Sequence, residues 1–327
     1  MNTLSHLRKT GLLAGALAIL SAPLSAAKES TRLVALRLPA EEVAAVRAEL
    51  NAPEKSGKPE TMAAVLKRRG VALVADLQQE NPWQEERVEL EKTTGTLESA
   101  GDVLDLGVKL KLWSHRREGG VDARLQAEIL LPTGGKGIRQ LDGSGEMRLT
   151  EPGRWREWLC WGDGKEAVML WEYPLGFSAG AKPEDDGRVP VRVEMKWFKA
   201  GEADLARLEK SKPETREKAL EWLEGRARGW KEAVYSFRLG NPSIWAVSEG
   251  KHEVEDDLMM AEDGLTIETK GVAVEGSIKL DWDVKARERS KEKDSHLSAT
   301  LEPGIWEFLP VEGVAGANLV ACRIKMP

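Results

Sequence analysis

EPGRW at Glu151–Trp155 returns as EPGIW at Glu302–Trp306. A chain that repeats itself at a spacing of this size must build one unit twice, so internal matches come before any local reading. Three more pairs follow in the same order. Lys58-Pro-Glu-Thr61 recurs as Lys212-Pro-Glu-Thr215, and Asn81-Pro82 as Asn241-Pro242. Arg32-Leu-Val-Ala-Leu36 corresponds to Arg192-Val-Glu-Met-Lys196. The offsets drift from 151 to 160, which loop changes explain. Two tandem units result, 31–175 and 189–327, joined by a linker at 176–188 rich in Gly, Pro and acidic residues.

Each unit opens on a strand. Val191, Val193, Met195 and Trp197 alternate with Arg192, Glu194 and Lys196. One or two helices follow. Val43, Val46 and Leu50 sit at helical spacing, and Pro59 stands near the first turn of a second helix that Gly70 stops. The matching helix of the second unit reads longer, to about Arg228. Only strands come after. Leu104, Leu106, Val108, Leu110 and Leu112 face one way, with Asp105, Lys109 and Lys111 on the other; Ile278, Leu280, Trp282 and Val284 repeat the pattern. Period two with a charged outer face means antiparallel sheet with one wet side. The expected class is α+β: per unit, a strand and one or two helices, then a mainly antiparallel sheet.

The same order of elements resembles the C-terminal homology region of the bacterial secretins. The likeness rests on a helix and strand over 62–79, on Val88-Glu-Leu-Glu91, and on Leu104-Asp-Leu-Gly107-Val108 with its counterpart Gly271-Val272. Each unit then closes on an apolar strand, Val168-Met-Leu-Trp171 or Leu319-Val-Ala-Cys322. The terminal glycine-pair turn of that family is missing, and the strands carry charged outer faces. The resemblance implies shared fold ancestry and an envelope location, and it does not imply a pore.

Residues 1–27 have the form of a secretory signal peptide. Arg8 and Lys9 precede an apolar run over 11–22, and Ser25-Ala26-Ala27 offers small residues for cleavage. The run is shorter than the ~20 apolar residues of a membrane span, and no later stretch approaches that length. The expected location is periplasmic or extracellular, with no transmembrane segment in the mature chain. A net charge of −6, with both signs interspersed, argues against a nucleic-acid partner. The expected partner is an envelope protein or a polysaccharide. No cofactor motif is present. The histidines, at 6, 115, 252 and 296, lack metal-ligand spacing, so no metal is expected.

The chain holds 12 Trp against 2 Tyr and 4 Phe. Four of these Trp lie in 151–173. Trp155 reads as core. Trp158, Trp161 and Trp171 are the candidate binding residues, because exposed indole faces stack on sugar rings. On a regular strand Trp155 and Trp161 share a face and Trp158 takes the other, so a platform requires a bend. In an ungapped match Trp158, Cys160, Trp161 and Trp171 stand opposite Leu309, Val311, Glu312 and Cys322. Cys160 and Cys322 are the two cysteines, and in an oxidising compartment they are the candidates for a disulfide. Two buried thiols are the alternative.

Catalytic signals are thin. Gly176-Phe-Ser178-Ala-Gly180 matches a nucleophile elbow, but the residues after it do not start a helix. The acidic runs at 184–186 and 255–257 read as surface charge. The expected function is exported, non-enzymatic binding or scaffolding in the cell envelope. Carbohydrate binding through exposed Trp is the alternative, and a serine hydrolase at Ser178 a remote one. No catalytic residue is assigned.

Overall fold

The computed structural model describes residues 29–326, apart from 81, 84–86, 100–101, 118–119, 135–136, 178–188, 211, 213–214, 227–230, 254–257, 289–290 and 315–316. The first half runs through β1 (Ser30–Pro39), α1 (Val43–Asn51), α2 (Pro53–Ser56), α3 (Thr61–Val65) and β2 (Ala72–Glu80). It continues as β3 (Arg87–Ser99), β4 (Asp102–Arg117), β5 (Gly120–Gly134), β6 (Gly137–Leu149), β7 (Arg156–Gly162) and β8 (Glu166–Gly176). The second half holds β9 (Pro190–Phe198), α4 (Glu202–Glu209), α5 (Arg216–Glu224), β10 (Lys231–Arg238) and β11 (Ser243–Glu253). Then come β12 (Leu258–Val274), β13 (Ser277–Glu288), β14 (Lys291–Leu301), β15 (Glu307–Val314) and β16 (Ala317–Lys325).

The described strands form two eight-stranded sheets. Sheet A has the order β15-β16-β9-β10-β7-β8-β1-β2, and sheet B the order β14-β13-β12-β11-β6-β5-β4-β3. Every pairing is antiparallel. The α+β expectation therefore gives way to a mainly β fold. The described helices are short, none longer than nine residues. Helices of that length gain most of their stability from the sheet they cover.

Three layers result. The largest core lies between the sheets and takes Leu33, Val193 and Leu170 from sheet A and Leu110, Leu125 and Leu280 from sheet B. The other face of sheet A carries the helices. In the first half Val43, Val46 and Leu50 of α1 pack on Val34, Leu36, Met169 and Trp171. In the second half Leu208, Leu220 and Leu223 pack on Phe198, Leu319 and Ala321. No described element covers the outer face of sheet B in this way. Lys109, Lys111, Lys279 and Asp283 stand there in water, which is why β4 and β13 alternate so cleanly.

The helix face absorbs the repeated Trp. Trp155 is buried over α1 and α3, and its indole N–H donates to Lys58 O at 3.2 Å. Trp306 is buried beneath α4 and α5. The ungapped pairing of the closing strands is one residue out. Trp171 faces the helices, whereas Cys322 faces sheet B. The cause is a bulge between Glu157 and Leu159, which leaves Trp158 without a partner in β8. The hairpin bonds show the same slip: Gly153 N–H donates to Pro174 O and Gly304 N–H to Ile324 O.

Candidate functional site: the seam between the halves

The halves meet edge to edge. In sheet A, β7 pairs with β10 over Cys160–Gly162 only. In sheet B, β6 pairs with β11 from Gly137 to Gly143. The Trp-rich stretch lies on this seam. Because of the bulge, Trp158 and Trp161 both face sheet B, and Trp155 faces the helices. They press on two glycines of β6. A Cβ on Gly143 would come 2.8 Å from the Trp161 ring, and one on Gly145 2.9 Å from the Trp158 ring. The Trp161 indole N–H donates to Asp142 O at 3.1 Å, and Trp245 of β11 donates to Cys160 O at 2.9 Å. These rings thus tie sheet A to sheet B where the halves join. Gly143→Val is expected to destabilise by about 1–3 kcal/mol through overpacking. A thermal unfolding midpoint unchanged from wild type would remove this account of the glycines.

Trp158, Trp161 and Trp171 are 0, 2 and 0% exposed. They offer no face to a sugar, which corrects their assignment as binding residues. Trp158 and Trp161 are enclosed against sheet B, and Trp171 of β8 beneath the helices. Cys160 and Cys322 are both free and buried. They face opposite sides of sheet A, toward the helices and toward sheet B. Strands β10 and β9 lie between theirs, and at about 4.8 Å per strand the gap exceeds disulfide reach. The disulfide is corrected to two thiols, and burial pushes both of them up, away from the reactive thiolate.

Beyond Val234, β10 parts from β7, and charges fill the gap on the helix side. Arg47 of α1 holds Glu157 of β7 through a fork at 2.8 and 2.9 Å and reaches Glu232 of β10 at 2.9 Å. Arg192 of β9 also pairs with Glu157 and donates to its backbone carbonyl at 2.9 Å. Glu194 beside it takes Arg323 at 2.6 Å and Lys325 at 2.8 Å. Burial pushes the Glu157 and Glu194 carboxyls up, but the flanking cations outweigh it and hold both below the usual range. Above the network is a cleft of about 320 Å³ that also takes Arg148, Arg156, Met147 and Met326. Nothing in the sequence marks Arg47, Glu157 and Glu232 as one group. They are joined only by the folding of segments 110 and 185 residues apart.

A wider cleft of about 840 Å³ opens at the other end of the seam, between the sheets. Arg139 of β6 lies at its base and pairs with Asp163 at 2.7 Å, Glu166 at 2.6 Å and Glu249. Arg37 pairs with Glu166 at 2.7 Å. Lys165, Lys231 and Lys291 line the rim.

One carboxyl lies apart from these networks. Glu172 of β8 is 0% exposed in the sandwich core. It accepts from Thr31 Oγ1 at 2.6 Å and from the Trp158 indole N–H at 2.7 Å. Burial raises it to about 7, against the pull of those two donors and of Arg156. A raised carboxyl binds its proton in the folded state when the unfolded state has lost it. Stability therefore falls as pH rises from about 4.5 to about 7, by about 3 kcal/mol. Glu172→Gln is expected to remove that loss. Urea midpoints at pH 5 and pH 8 check it; the same pH dependence in both proteins would count against the assignment.

Ser178 and the acidic runs at 184–186 and 255–257 lie outside the described residues. His296 is exposed and bonded to Asp283 at 2.9 Å. Among the described residues no group of His, Cys, Asp or Glu could hold a metal ion. No family model matches the chain, and neither does any curated protein or solved structure.

Proposed function

We propose that the chain is an exported, non-enzymatic binding or scaffolding protein of the cell envelope, built from two copies of one unit. One observation carries this reading. Sheet A runs β7-β8-β1-β2 in the first half and β15-β16-β9-β10 in the second, and sheet B runs β6-β5-β4-β3 and then β14-β13-β12-β11. Each strand of the second half takes the place of the strand eight before it. Helices follow the first strand in both halves. The halves join head to tail, so a β7-type edge meets a β10-type edge, and both sheets continue through the seam. Such a slab offers broad, unlike faces: charged strands on one side, helices on the other. Broad surfaces of this kind suit binding more than reaction in an enclosed chamber.

The edges support a build that stops at two units. At the far end Pro310 leaves β15 one donor short. Lys293 lies on the core side of β14, opposite Ala286, and donates to Glu312 O. Prolines and inward lysines are devices that keep sheet edges from pairing further. The envelope location is supported by the pattern of residues 8–27 and by the secretin-like order of elements, read as common ancestry. No described helix is long and apolar enough to cross a membrane.

Two measurements test the reading. When the full chain is expressed in a Gram-negative host, the product is expected in the periplasmic or extracellular fraction with its N-terminus near Lys28. An unprocessed chain held in the cytoplasm would contradict export. An envelope component recovered with wild type is expected to be lost with Lys109→Glu/Lys111→Glu/Lys285→Glu on the outer face of sheet B. If no component is recovered, or if the variant recovers it equally well, that face is not the binding surface.

A further inference from the structure

We propose that the cleft at the Asp163–Glu166 end of the seam binds a small multivalent anion of the phosphate class. The inference rests on the binding reading and adds to it a small-ligand site apart from the outer face of sheet B. The cleft's charges do not balance. Among the described residues six cationic side chains line it against four acidic ones, in a chain whose net charge is −6.

The acids are already engaged. Asp163 accepts from Arg139 and from the backbone N–H groups of Lys165 and Glu166, both at 2.9 Å. Glu166 is shared by Arg37 and Arg139, and Glu249 takes Arg139. The ammonium groups of Lys165, Lys231 and Lys291 form no ion pair with any described residue. At the base, Arg139 Nε is buried with no hydrogen-bond partner among the described residues. The cleft thus keeps one orphaned guanidinium N–H and three uncommitted positive charges.

The lining also excludes other ligands. Among the described residues of the lining Val247 is the only apolar side chain, and none carries an aromatic ring. A lipid tail would lack apolar cover, and a sugar or base would lack a stacking surface. Lysines brought from the β7–β8 turn, β10 and β14 act as separate point charges. They suit charge spread over several oxyanions rather than one planar carboxylate. The anion could be a free phosphate compound or a phosphorylated headgroup presented at a membrane surface.

Isothermal titration of the full mature chain with inorganic triphosphate at low salt tests this. Saturable one-site binding that weakens steeply with salt is expected. Lys165→Ala/Lys231→Ala/Lys291→Ala is expected to weaken it tenfold or more. Lys58→Ala/Lys67→Ala/Lys218→Ala removes the same charge from the helix side of sheet A and is expected to leave the affinity within twofold. Absence of binding, or equal weakening in both variants, overturns the proposal. Neither result bears on export, which is read from cell fractions. Co-sedimentation with phosphatidylglycerol vesicles assigns the source. Pelleting that triphosphate competes away identifies a headgroup, and triphosphate binding without pelleting identifies a free compound.

Discussion

Trp161→Ala is expected to cost about 3–5 kcal/mol, the range for removing a large buried aromatic. The ring is 2% exposed, presses on Gly143 and donates to Asp142 O of the facing sheet. β6 and β7 are the strands through which the first half meets the second, so the cavity would open at the seam itself. The glycine beneath cannot fill it, because Gly143 has no side chain to move in. Trp113 is the control. It lies half-buried on the outer face of sheet B between Arg87 and Arg124, each 5.6 Å from its ring. Trp113→Ala is expected to cost less than half as much. Urea denaturation followed by far-UV circular dichroism measures both. A Trp161→Ala loss under about 1 kcal/mol would mean the ring does not hold the sheets together.

Glu157→Ala is the second large expected effect, again about 3–5 kcal/mol. The carboxylate side chain is 2% exposed and bound by both Arg47 and Arg192. Its removal leaves two cations facing a buried site with Glu232 and Glu194 as their remaining acids. The side chain is smaller than the tryptophan's, so most of the cost comes from uncompensated charge. That distinction can be measured. Arg47→Ala combined with Glu157→Ala should cost clearly less than the sum of the two single changes, because the first loss removes the charge that the second would strand. Strict additivity would show that Arg47 and Glu157 do not act as a pair.

Much of the fold was legible in the chain, because local rules and global build agree there. Val191–Trp197 and Ile278–Val284 alternate because one face is core, and the strands sit where the alternation puts them. The helix over 43–50 follows its stripe of Val43, Val46 and Leu50. The weight of helix was overstated because Lys58-Pro-Glu-Thr61 opens only a five-residue helix. The candidate site was not legible. Trp158, Trp161 and Trp171 look like binding aromatics when only their spacing is seen, and they become core once sheet B covers the first two and the helices cover the third. The bulge at Trp158 turns one ring to the other face, and period-two counting has no place for an extra residue. Arg139, Arg47 and Glu157 carry no motif at all. Their meaning lies in segments that only the folded sheets bring together.

Hydrogen exchange at the two hairpins tests the seam most directly. β7 and β15 hold corresponding places in the strand order, but β7 is enclosed by β10 and β15 is an open edge. Amides of Cys160–Gly162, where β10 pairs with β7, should exchange only through global unfolding, and those of Glu307–Val314 at least tenfold faster under native conditions. Equal protection of the two strands, or faster exchange in β7, would contradict the joining of the halves through β7 and β10.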